Sequence, residues 1–215
     1  MKFNFEKFLN FEKQKPYFFN LANYLKRATN ITPKKDRIFF AMHNFDFDNL
    51  KVIIIGQDPY PGVNVADGLC FSSNEEKTPA SLKNIFAEIQ QSYPNCIFQT
   101  NNLDYWKNQG VLLLNTILTN EVGKTLAHQN IGWEIFTYNF LNQINELYTN
   151  VIYLLLGNYA KKYAQKLDLR KQIIIQTSHP SPLSYFNGFK GSKVFEKINS
   201  ELKKQNKKVI DWSTK

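Results

Sequence analysis

Residues 51–62 read KVIIIGQDPYPG. The apolar run Val52–Ile55 is short and does not alternate, which reads as a strand buried on both faces. It stops at Gly56, and two glycines and two prolines within residues 56–62 make a stiff, sharply turning loop. The same kind of run recurs at Val111–Leu114, Val151–Leu156 and Ile173–Ile175. Helical spacing fills the intervals: from Thr78-Pro79 to about Ser92, from Trp133 to Tyr148, from Ala160 to Leu167, and from Val194 to Leu202 after the last run. Buried strands alternating with helices predict an α/β fold, a central four-stranded, mainly parallel sheet with helices on both faces.

Outward from this core, residues 3–28 place apolar side chains at helical spacing, divided by Pro16. Thr32-Pro33 predicts a further helix running to Met42, with proline at its first position. At 215 residues the expected organisation is one domain, 1–215, with an N-terminal helical segment over about 1–45.

In open parallel sheets ligands bind beyond the carboxyl ends of the strands. Those ends read Gly56-Gln57-Asp58, Asn115, Gly157-Asn158 and Ser178-His179. A carboxylate, a carboxamide and an imidazole, distant in sequence, are therefore expected at one rim. Asp58 alone could be a turn residue, His179 alone a buried structural histidine, and Asn158 reads best as a turn or cap. The loop at 56–62 matches neither the phosphate-cradling nor the dinucleotide-binding glycine pattern. In HPSPLS, residues 179–184, Pro180 and Pro182 lack N–H groups and stiffen the chain. The Ser181 and Leu183 amides can then face outward, which suits a wedge or a backbone grip.

Composition narrows the partners. The 27 basic and 18 acidic residues give a net charge of +9, which favours polyanions. Cys70 and Cys96 form no C-x-x-C pair, which excludes an all-cysteine metal site and a disulfide scaffold and fits reduced thiols in a cytoplasm. The N-terminal stretch MKFNFEKFLNFEK lacks the apolar run of a secretory leader, and no segment approaches the roughly 20 apolar residues of a membrane span.

Four segments carry a resemblance: GQDPYPG (56–62), DGLCFS (67–72), GVLLLNTILT (110–119) and HPSPLS (179–184). GWEIFT (132–137), LLLGNYA (154–160) and IDW (210–212) extend it. In order and approximate spacing the chain resembles the family 1 uracil-DNA glycosylases, well over about 37–212 and weakly before. The resemblance implies hydrolysis of the bond joining uracil to deoxyribose, starting base-excision repair, by a monomer without metal or cofactor. Asp58 would orient water and stabilise a sugar cation, and His179 would hydrogen-bond uracil O2 as charge develops there. Asn115 would read uracil O4 and N3, Phe71 would stack on the base, and Tyr60 would fill the space beside C5. Gln57 would line the pocket and meet the base through its main chain. Leu183 would enter the space left by the flipped base, with Ser81 and Ser181 gripping flanking phosphates. The implied partners are single- and double-stranded uracil-containing DNA and a proteinaceous inhibitor that imitates DNA.

The sequence departs from the family at four places. Pro61 and Asp67 stand where histidines are frequent, Asn158 where serine is, and Asn187 where arginine is. All four are expected near DNA-contacting loops, where they remove phosphate donors, with Lys190 and Lys193 close enough to compensate. No motif lysine is placed for a Schiff base, so no lyase step is expected. Two other readings fit: a DNA-binding or processivity module that keeps the fold, and a mismatch-specific glycosylase of the wider superfamily. Asp58 and Tyr60 oppose the second, because such relatives resemble GINPG at this loop.

Overall fold

The computed structural model describes residues 2–215. Its sheet has four strands: β2 (Val52–Gly56), β3 (Val111–Asn115), β5 (Ile152–Leu156) and β6 (Ile173–Thr177). All pairings are parallel, in the order β3-β2-β5-β6. The register sets Gly56 beside Asn115 and Leu156 beside Thr177, so the chain-distant strand ends share one rim. β2, β3 and β5 are buried throughout. β6 departs from the expected burial on both faces: it is an edge strand, and Ile174 is 50% exposed.

Three of the four predicted crossover helices stand nearly where the periodicity put them: α3 (Ala80–Ser92), α5 (Trp133–Leu147) and α7 (Val194–Lys204). The fourth, α6 (Gly157–Ala164), starts three residues early. Gly157 has φ +85° and turns the chain from β5 directly into the helix, a conformation an L side chain resists. A short α4 (Asp104–Lys107) precedes β3.

The N-terminal helices α1 (Phe5–Glu12) and α2 (Pro16–Arg27) break as Pro16 requires. Asn4 caps α1 by accepting the Lys7 N–H at 2.9 Å. Phe3, Phe5 and Phe8 then pack edge-on against Phe140 of α5, so the phenylalanine-rich start of the chain joins the same hydrophobic cluster as the sheet. Glu12 is buried within this contact and accepts from Lys15, Tyr17 and Asn139.

The helix expected from Thr32-Pro33 to Met42 is absent. Ile31–Thr32 forms strand β1, antiparallel to β4 (Asn120–Glu121), and single turns of 3₁₀ helix follow at 35–37 and 47–49. Pairing takes the backbone of Thr32 that would have capped a helix, and tertiary contacts override the local signal. At the other end Trp212 packs against Trp106 and Phe195, fixing the IDW segment under α4 and α7. Among the described residues no helix is long and apolar enough to cross a membrane.

Candidate active site

Beyond the carboxyl ends of β2 and β3 lies a cleft of about 220 Å³. It is lined by Gln57, Asp58, Tyr60, Phe71, Ser81, Asn115 and His179, with Pro61, Leu69 and Thr125 at its margins. Ser181 and Leu183 do not line it; they stand on the adjoining loop.

Asn115 ends β3 with only 7% of its surface exposed. Its carboxamide makes no hydrogen bond to protein among the described residues and lines the open cleft. Gly56 makes the room: a Cβ there would lie 2.2 Å from Asn115 Oδ1 and 2.6 Å from Cys70 Cβ. Any other residue at position 56 would displace the carboxamide.

Asp58 hangs on the stiff loop after β2. Its Oδ2 accepts from Asn120 Nδ2 at 2.6 Å and from the Leu126 N–H at 2.9 Å. Burial pushes its carboxyl above the ordinary value of 3.8, and these two donors, with Asp58's own N–H, pull it only part of the way back. Gln57 gives its carbonyl to the Ile117 N–H (2.9 Å) and Thr116 Oγ1 (3.2 Å), which ties this loop to the β3 end.

His179 enters from the end of β6, with Gly157 beneath it. A Cβ on Gly157 would come within 2.7 Å of His179 Cβ, so this glycine is needed for packing as well as for its φ. The Ser181 N–H donates to His179 Nδ1 at 3.0 Å. An Nδ1 that accepts puts the single proton of neutral imidazole on Nε2. Burial holds the imidazole pKa below the ordinary 6.5 and favours that neutral form.

Phe71 lies 5.7 Å from the His179 ring, centre to centre, and has φ +65°. Asp67 explains how a phenylalanine is held in the left-handed region. Its carboxylate accepts from the Leu69 N–H (3.0 Å), Ser72 Oγ and Asn102 Nδ2 (3.0 Å), clamping both sides of the turn. This corrects the expectation for Asp67: it is fully buried and meets no polyanion. Tyr60 Oη donates to the Phe71 carbonyl at 3.4 Å, linking the two aromatic walls.

The HPSPLS loop is built differently. Leu183 is 93% exposed and Phe186, three residues on, 77% exposed. The base of the loop is fastened: Ser184 Oγ donates to the His179 carbonyl (2.8 Å), Asn84 Nδ2 to the Pro180 carbonyl (2.7 Å), and Ser181 Oγ shares a hydrogen bond with Ser184 Oγ (3.0 Å). Its far end is held by buried Glu88, which accepts the Gly191 and Lys193 N–H groups, each at 2.7 Å. α3 thus carries Ser81, Asn84 and Glu88 along one side of the loop. Asn158, Asn187, Lys190 and Lys193 are exposed nearby, while Pro61 gives its carbonyl to Gly123 N–H at 2.7 Å.

Sequence reasoning missed Asn120, Leu126, Thr125 and Phe186. Asn120, in the two-residue strand β4, and Leu126, in the loop after it, lie between two apolar patterns, where spacing carries no sign of a partner about 60 residues away. Phe186 had a local signal, an aromatic residue beside the predicted wedge.

Known proteins resemble this chain over nearly its whole length. The model of the uracil DNA glycosylase superfamily matches residues 42–203. A uracil-DNA glycosylase of Mycoplasmopsis pulmonis is 43% identical over 211 residues, covering 96% of this chain and 95% of the relative. One from Flavobacterium johnsoniae is 44% identical over 209 residues, with 95% of each covered. The crystal structure of mimivirus uracil-DNA glycosylase superposes with a TM-score of 0.90 at 30% identity, covering 99% of this chain and 88% of that one. A glycosylase from Nitratifractor salsuginis, 19% identical with a TM-score of 0.62, shares the fold. The chain therefore belongs to the uracil-DNA glycosylase superfamily, as an N-glycosyl hydrolase that excises uracil from DNA at the start of base-excision repair.

Proposed function

We propose that the cleft holds a uracil flipped out of DNA, with Asp58 and His179 as its catalytic residues. One observation carries this reading: a buried, unpartnered carboxamide, a carboxylate and a neutral imidazole from three separate strand ends converge on one cavity. In the reaction the C1′–N1 electron pair leaves with uracil and water adds to C1′. Asp58 orients that water, takes its proton and stabilises the positive sugar in the transition state. His179 donates from Nε2 to uracil O2, where negative charge grows, as a preorganised donor in a dry site. Its neutral form suffices, since Nδ1 is occupied by the Ser181 N–H.

Asn115 reads the O4/N3 edge and so rejects cytosine, whose donor and acceptor are reversed. Phe71 stacks on the base, and Tyr60 blocks a methyl at C5. Gln57 contributes its N–H, because its carbonyl is already used by Thr116 and Ile117. Leu183 fills the vacated stack, while Ser81 and Ser181 bind flanking phosphates. The chain acts as a monomer on single- and double-stranded DNA, with residues 1–45 integral to one catalytic domain. A mimivirus relative is described in complex with UGI. The same basic, apolar-tipped face here suits an inhibitor that imitates DNA.

The test is uracil release from single-stranded and duplex uracil-containing DNA, with a G:T duplex as control. Release from both uracil substrates and none from G:T supports the reading. DNA binding without release would favour the non-catalytic module, and thymine release the mismatch-specific alternative.

A further inference from the structure

Asn120, at the start of β4, is fully buried, and both ends of its carboxamide are engaged. Nδ2 donates to Asp58 Oδ2 at 2.6 Å and lies 3.4 Å from the Pro59 carbonyl, while Oδ1 accepts the Ala127 N–H at 2.8 Å. The last bond closes residues 120–127 into a ring. Inside that ring Leu126, at φ +57°, turns its N–H onto the same Asp58 oxygen at 2.9 Å. The ring is anchored from outside: Asn120 pairs with Thr32 across β4 and β1, and the Val122 N–H donates to the Asn30 carbonyl at 2.8 Å. Both donors from other residues to the Asp58 carboxyl thus sit on Oδ2; the one further donor is Asp58's own N–H, and among the described residues no group of another residue bonds Oδ1. A carboxylate that can rotate offers either oxygen; one clamped at Oδ2 offers only the other.

We propose that Asn120 is a positioning residue for uracil excision: with the 120–127 ring it closes, it grips Asp58 by Oδ2 so that Oδ1 alone faces the reacting water. This rests on the role assigned to Asp58 above. It also gives the N-terminal segment a part in catalysis, since β1 buttresses the ring. Glu121 and Lys124, on the ring itself, pair with each other at 2.7 Å, and the other titratable groups around Asp58 among the described residues are Tyr60 on its own loop, His179 beyond β6 and Tyr159 on α6. Burial raises both tyrosines and lowers the histidine, so all three are neutral near pH 7. The donors on Oδ2 are then the main influence opposing the desolvation of Asp58.

The experiment is steady-state uracil release across pH by Asn120→Ala and Asn120→Asp, each alone and combined with Asp58→Asn. Asn120→Asp keeps the acceptor for the Ala127 N–H and loses only the donor, so it preserves the ring should Asn120→Ala fail to fold. Both single variants should lower kcat about 10- to 100-fold, the range expected of a misplaced reacting group. KM should stay close to wild type. The acid limb of kcat should move to higher pH, further for Asn120→Asp because two carboxylates then share one proton. In the Asp58→Asn background, either change should alter the residual rate by less than about twofold. An unshifted acid limb with full kcat overturns the proposal, as does an equal fractional loss in both backgrounds, which would mean that Asn120 acts on something other than Asp58. Near wild-type turnover by Asp58→Asn alone is separately visible: it removes the underlying assignment and this proposal with it.

Discussion

The cleft beyond β2 and β3 and the loop after β6 sit side by side and are built on opposite principles. In the cleft Asp58 is tied down by Asn120 and Leu126 and His179 by the Ser181 N–H, while Asn115 is held in place by packing with its carboxamide left unpartnered among the described residues. The loop carries its apolar tips Leu183 and Phe186 into solvent and is bonded at its two ends, through Ser184 and Asn84 at the base and Glu88 at the far end. A preorganised polar site lowers a barrier because its dipoles need no rearrangement. An exposed apolar tip does nothing until it has a stack to enter. On the proposed reading the difference separates two tasks: chemistry and base choice in the cleft, duplex opening on the loop.

The largest effect should come from the cleft. Asp58→Asn should reduce single-turnover uracil release by about 10²- to 10⁴-fold. Stability should not suffer. Burial raises the Asp58 pKa in the folded state, so its ionised form costs folding free energy as pH rises through that value, and the amide removes the cost. The midpoint of thermal unfolding at pH 7 should be equal to or above that of wild type, and a clear drop would show that the carboxylate is structural.

The pH profile sharpens the same side of the comparison. With His179 held below its ordinary value, kcat should be flat from about pH 8 to below about 6.5. It should fall only on the acid side, as Asp58 and His179 take up protons. Activity that declined from pH 6 to 8 would mean that imidazolium is the working form.

Base choice comes next. Asn115→Asp should release cytosine, and Tyr60→Ala should release thymine, each at a rate well below that for uracil. Strict uracil selectivity in both variants would break the pocket assignment. The smallest effect belongs to the rim around the loop. Lys190→Ala with Lys193→Ala should raise KM and flatten the salt dependence of DNA binding, by about 0.9 in log–log slope for each phosphate no longer neutralised. Selectivity should be untouched, and an unchanged slope would show that these exposed lysines do not meet DNA.

The sheet was legible because its strands are unbroken apolar runs and its crossovers keep a 3.6-residue period. Asp58, Asn115 and His179 were legible for a related reason: a parallel sheet brings its strand ends together whatever their separation in sequence. Three things were not. The Thr32-Pro33 signal was local, whereas the winning interaction, pairing with Asn120, spans nearly 90 residues. Asp67 read as a residue near a DNA-contacting loop, because nothing near it in sequence shows that Ser72 and Asn102 would enclose it. The donors on Asp58 come from a stretch with no periodicity, and one is a backbone N–H whose direction depends on Leu126 adopting φ +57°. Side-chain burial patterns are written in the sequence; the aim of a backbone amide is not.

The separation of tasks is tested most directly by single-turnover uracil release from matched single-stranded and duplex substrates, using wild type, Asp58→Asn and Leu183→Ala. The wedge helps only where a stack must be opened, and unstacking is cheapest when the base is already unpaired. Asp58→Asn should therefore lose the same factor on both substrates, while Leu183→Ala should lose about tenfold or more on the duplex and little on the single strand. Equal losses on both substrates for Leu183→Ala, or a duplex-specific loss for Asp58→Asn, would contradict the division between cleft and loop.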